Sequence, residues 1–143
     1  MALFSFFYEF FENLLGFYNS SFSIVFQNFY QSGGYTDMGM ILIIIPLVIL
    51  LLFYLVWRYP YGTKLHWFIT IIIIALIVGG STYGAVRLTL ADSLVSQDPN
   101  IVDFTSLLVF KYTMLNATLS LIVSFLYSLG LRQFSKVQMH LPF

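Results

Sequence analysis

Charge is what this chain has least of. Only 8% of its 143 residues are charged, six acidic and six basic, for a formal net charge of +0. A soluble domain carries about 25% charged residues, so this set cannot coat a folded sphere. With 59% hydrophobic residues and a mean hydropathy of +0.89, a soluble monomer is excluded. A nucleic-acid binder needs a basic face, and no basic excess is present. Cysteine is absent, which removes disulfides, thiolate metal sites and cysteine nucleophiles and leaves the redox compartment open. The length allows one domain. These absences leave a small, all-α integral membrane protein.

What the chain does have is long apolar runs. A helix needs about 20 mostly apolar residues to cross the hydrocarbon core. Three stretches qualify: about 38–57, which holds Ile41 to Ile45 and an internal Pro46; about 67–88, with Ile69 to Ile74; and about 106–131, the most polar of the three. Membrane helices tolerate an internal proline, usually with a modest kink. Arg58 to Lys64, with Pro60 and Gly62, reads as a tight turn. Trp57, Tyr59, Tyr61 and Trp67 gather there as an interfacial aromatic belt would. The stretch 91–105, with Asp92, Asp98-Pro99-Asn100 and Asp103, reads as the other loop, and 132–143 as a short tail.

The charges also predict an orientation. Arg58, Lys64, Arg132 and Lys136 flank one side, whereas Glu9, Glu12, Asp37, Asp92, Asp98 and Asp103 all fall on the other. Excess Lys and Arg in short loops marks the cytoplasmic face. The N-terminus is therefore expected outside and the C-terminus in the cytoplasm, most simply of a bacterial inner membrane. Arg87 and Lys111 are expected near the outer interface, where a lysine can snorkel to the headgroups. The sharper alternative for Lys111 is a selectivity charge or a buried pair with Glu9, Glu12 or Asp103.

Residues 1–37 are the segment most open to misreading. They hold nine of the sixteen phenylalanines, between Phe4 and Phe29. A secretory signal needs a basic n-region and a small-residue cleavage site, and neither is there. Ser5, Glu9, Glu12, Asn13, Gly16, Ser20, Ser23 and Gln27 recur at spacings of three and four, a polar stripe on an aromatic helix. The expectation is an amphipathic helix, broken near Asn19-Ser20-Ser21, at the outer interface or against a partner. Because its polar face carries acids rather than bases, partner contact through Glu9 and Glu12 is preferred to lipid anchoring. Gln31 to Tyr35 is expected to be a flexible joint.

Two faces suggest helix association. Gly80 and Gly84 have GxxxG spacing, extended by Ala75 and Gly79, and small residues four apart let backbones approach closely. In the third span Thr113, Asn116, Ala117, Ser120, Ser124 and Ser128 form one narrow stripe. The simplest expectation is that the two faces pack together within the chain. The alternatives are that the stripe meets another subunit or, in an oligomer, lines a pore.

Catalytic signals are missing. His66 and His140 share a side with no Asp, Glu or Cys to complete a centre. No Ser has a His and a carboxylate in one compartment, and no phosphate-binding glycine loop opens a soluble helix. No Asp, Glu or His lies in the central turns of any span, which disfavours proton-coupled transport. No enzyme, cofactor or metal site is expected. The expected role is a non-catalytic anchoring or scaffold subunit of a multi-protein membrane complex, such as an envelope-spanning secretion or injection machine or a multi-subunit enzyme. Its partners would be the bilayer and other membrane-protein subunits, in a hetero- or homo-oligomer. The alternative is a small homo-oligomeric pore or permeabilising protein, since three spans with N-out and C-in also resemble the topology of some phage holins.

Overall fold

The computed structural model describes residues 2–56 and 64–131, and every regular element among them is helical. In chain order these are α1 (Ala2–Leu15), a 3₁₀ turn (Ser20–Phe22), α2 (Ser23–Gln31), α3 (Gly34–Val56), α4 (Lys64–Thr89), α5 (Ala91–Leu94) and α6 (Pro99–Leu131). Three of them, within α3, α4 and α6, are long and apolar enough to cross a membrane. The expected turn at residues 58–63, with Tyr59 and Tyr61 of its aromatic belt, lies outside the described residues. So do Trp57 and the tail at 132–143 with Arg132, Lys136 and His140.

Helix boundaries differ from the sequence reading at the N-terminal ends. α3 starts at Gly34 rather than near 38, and α4 at Lys64 rather than near 67. α6 starts at Pro99, well before the expected 106. The cause is local: Asp98 Oδ1 accepts the Asn100 amide at 2.9 Å, and Asp98 O accepts the Ile101 amide at 3.1 Å. That is a side-chain cap followed by proline in the first helical position, where its missing N–H costs nothing. The stretch expected to be a loop thus contains α5 and the first turns of α6. At 33 residues, α6 is about 50 Å long, against about 30 Å for a hydrocarbon core.

The N-terminal segment breaks where glycine permits it. α1 ends at Gly16, whose φ of +67° is the left-handed conformation, and the Phe17 amide closes back on Glu12 O at 2.8 Å. This is the glycine-terminated helix end of the Schellman type. Asn19 Oδ1 then accepts the Ser21 amide at 3.0 Å and starts the 3₁₀ turn. The expected flexible joint is instead a tight corner: Gly33 has φ +81°, and its carbonyl accepts the amides of Thr36 and Asp37 at 2.9 and 3.1 Å.

The chain divides into two compact units. One comprises residues 2–40 and 80–115, the other 41–56, 64–79 and 116–131. The first is built on aromatic rings: Phe22 stacks on Phe104 with centroids 4.3 Å apart, Phe29 stacks on Tyr112 at 5.2 Å, and Tyr8 on Tyr35 at 6.1 Å. Stacked and edge-on pairs of this kind add to the area they bury. In this unit α1 is inverted relative to a water-facing helix. Its buried residues are Ser5, Tyr8 and Glu12, while Leu3, Phe6, Phe10 and Leu14 point outward.

The second unit has a mixed aliphatic and aromatic core of Leu50, Phe53, Tyr54, Trp67, Ile71, Ile74 and Val78. Residues 41–56, 65–79 and 116–131 contain no Asp, Glu, Lys or Arg. Asn116, Ser120, Ser124 and Ser128 are all fully buried here, and Trp67 donates its indole N–H to Ser128 Oγ at 3.1 Å. Ser120 Oγ donates to Ala117 O at 2.6 Å, one turn back on the same helix. Small residues and hydroxyls at a helix interface are how membrane helices pack without a hydrophobic drive.

Candidate functional site

The chemically loaded place in the chain is the surroundings of Glu12, in the first unit. α1 turns this carboxylate inward until the residue is 3% exposed. Tyr35, from the first turn of α3, donates its hydroxyl to Oε1 at 2.6 Å, and Tyr112 of α6 donates to the same oxygen. Burial pushes the Glu12 carboxyl above its ordinary range. The two tyrosine hydrogen bonds oppose the shift, and the like charge of Glu9 adds to it. Tyr8, one turn earlier, is likewise raised by burial.

Next to this carboxylate is an open cavity of about 400 Å³. Glu9 and Glu12 line it together with the rings of Tyr18, Phe26, Tyr30 and Tyr35. Asn13, Ser23 and Gln27 complete its polar lining. Lys111, the nearby base of α6, is not part of it: its ammonium sits 5.2 Å from the centroid of Phe17. The alternative of a buried pair between Lys111 and Glu9, Glu12 or Asp103 gives way, among the described residues, to a cation–π contact.

Glu12 was expected to meet a partner protein and instead meets the chain's own tyrosines; Glu9 remains exposed. The physical reason is that an acid on a helix of phenylalanines is the group most in need of hydrogen-bond donors, while the rings can face an apolar surrounding at no cost. The tyrosines that satisfy it are residues the sequence did not single out. They stand 23 and 100 positions away, and only the need of a buried carboxylate for donors could have prompted a search for them.

The two association faces differ in their placement. The α6 stripe is turned inward, as described. The α4 face is only partly covered among the described residues: Gly79 is buried, but a methyl group added at Gly80 or Gly84 would meet nothing within 4 Å. Gly34 and Gly39 show the opposite, since a methyl there would run into the rings of Phe29 and Phe4. Beside Gly84 is a second open cavity of about 530 Å³, with Leu88, Leu94 and Val95 on its wall. Arg87 lies along it, donating from Nη1 to the Tyr83 hydroxyl at 3.2 Å with its guanidinium 5.9 Å from that ring's centroid. Among the described residues no group of three or more His, Asp or Glu could hold a metal ion.

Comparison with protein-family models, with curated proteins and with solved structures found no match for this chain.

Proposed function

We propose that this chain is a non-catalytic, multi-pass subunit that assembles with other membrane helices through the open small-residue face of α4. The observation that carries this reading is the empty space outside Gly80 and Gly84. A glycine pair four residues apart in a candidate span lets a second backbone approach closely, and van der Waals contact at that distance drives association where lipid offers no hydrophobic force. The apolar cavity beside Gly84 and the outward rings of α1 offer further contact area. A homo-oligomeric pore has less support, because the serines that would line it are fully buried. With three spans and acids gathered at one end, the reading places the N-terminus outside and the C-terminus in the cytoplasm.

The test is assembly set against insertion. Gly80→Leu and Gly84→Leu should each reach the membrane at parental levels but lose the higher-mass species on a native gel in mild detergent. Assembly equal to the parent in both variants overturns the reading.

A further inference from the structure

The cavity beside Glu12 combines features that the assembly role does not use. Its innermost group is a carboxylate 3% exposed, and both hydrogen bonds to it end on Oε1. Among the described residues no base lines the cavity. The nearest acting charge, Glu9, has the same sign. A buried anion without a counter-charge is costly. A bound cation would supply one.

The rest of the lining specifies which kind of cation. Tyr18, Phe26, Tyr30 and Tyr35 line it with aromatic side chains, the residue type whose ring quadrupole attracts an ammonium group. Calcium sites are built mainly from several carboxylates, and among the described residues no group of three or more His, Asp or Glu gathers here. The volume of about 400 Å³ lies in the range of roughly 300–1,000 Å³ usual for small-molecule pockets, with room for an ammonium group and the body that carries it. Tyr30 and Tyr35 flank Gly34, the first residue of the first candidate span, so the mouth opens at the end of that span, where headgroups would lie.

We propose that this cavity is a binding site for an ammonium group, with Glu12 as its anionic floor, Glu9 at its mouth and the tyrosines as its walls. The group is carried by a phospholipid headgroup or by a small free amine. Both present the same chemistry, and they are separated by experiment.

The full chain is placed in nanodiscs of phosphatidylglycerol, which has no amine, and titrated with ethanolamine hydrochloride against sodium chloride at equal ionic strength. The readouts are tyrosine fluorescence and the thermal unfolding midpoint. The same measurements are made in discs containing phosphatidylethanolamine. A saturable response to ethanolamine that is equal in both discs supports a free amine. A response suppressed by phosphatidylethanolamine, or a midpoint raised by that lipid alone, supports the headgroup. In either case Glu12→Gln and Tyr30→Leu should each weaken binding by about tenfold, the loss expected for about 1.4 kcal/mol. Tyr30 is 55% exposed, so its variant keeps the fold and carries the test should Glu12→Gln fail to fold. No saturable response to ethanolamine together with a midpoint unchanged by phosphatidylethanolamine, or responses unchanged in Tyr30→Leu, overturns the proposal.

Discussion

Tyr112 and Glu12 are 100 positions apart in the chain and share a hydrogen bond, the phenol donating to the carboxylate. Together with the bond from Tyr35 at 2.6 Å, it ties α1 to both α3 and α6. A segment that could have floated on the bilayer surface is thereby made part of the folded unit.

Replacing Glu12 with leucine takes the acceptor from both tyrosines, and a buried donor left without a partner costs about 1–3 kcal/mol. Tyr35 and Tyr112, with hydroxyls 3.5 Å apart, recover part of this by bonding each other. Glu12→Leu should therefore release α1 to limited proteolysis in detergent, and Glu12→Gln, which keeps an acceptor oxygen, should release it far less. Equal protection of all three proteins would contradict the anchoring role.

The raised Glu12 carboxyl gives stability a pH dependence of definite sign. The folded chain holds this proton at pH values where the unfolded chain has lost it, so the contribution is fully present below the ordinary carboxyl range and lost as pH rises through the raised value. The groups facing Glu12 are Glu9, Tyr35 and Tyr112, of which only the exposed Glu9 is another carboxyl. The unfolding midpoint of the ligand-free protein should fall over this window, and Glu12→Gln should flatten the fall. A midpoint that rises with pH there contradicts the assignment.

Glycines at the two kinds of position should respond oppositely to alanine. Gly34→Ala and Gly39→Ala push a methyl into the rings of Phe29 and Phe4, and overpacking costs about 1–3 kcal/mol. Gly80→Ala and Gly84→Ala meet open space and should leave thermal stability equal or slightly higher, since alanine favours helix over glycine by about 1 kcal/mol. Unfolding midpoints of the four variants, measured under conditions that keep the chain monomeric, check the contrast.

In the second unit, the Trp67–Ser128 bond should show a coupling of about 0.6 kcal/mol, the mean for interhelical hydrogen bonds in membranes. The measurement is a double-mutant cycle of Trp67→Phe and Ser128→Ala. Additive losses would mean that the serine serves only as a small packing residue.

The spans were legible because runs such as Ile41 to Ile45 and Ile69 to Ile74 admit few other readings. Periodicity found the α6 stripe of Ser120, Ser124 and Ser128, but only part of the N-terminal one: Ser5 and Glu12 share the buried face of α1, whereas Glu9 and Asn13 are exposed. What it could not supply was which way each face turns. Where the outer surface is itself apolar, the rule that polar faces point outward is reversed, so Glu12 went inward while Gly80 stayed open. The early start of α6 has a local signal, for Asp98-Pro99 is a cap followed by an N-terminal proline. Tyr35 and Tyr112 were not legible, because no local pattern joins residues so far apart in sequence.

The assembly role is most directly tested by cross-linking, which the absence of cysteine makes clean. Gly80→Cys and Gly84→Cys are introduced singly and cross-linked in intact membranes with a short bifunctional reagent, with Leu126→Cys, an exposed position of α6, as the comparison. The expected result is a discrete cross-linked band from the glycine positions, with a second copy or another membrane subunit identified by mass spectrometry. Efficient labelling of both cysteines by a lipid-soluble maleimide, with no cross-linked product from either, would show that the face meets only lipid and would contradict the account.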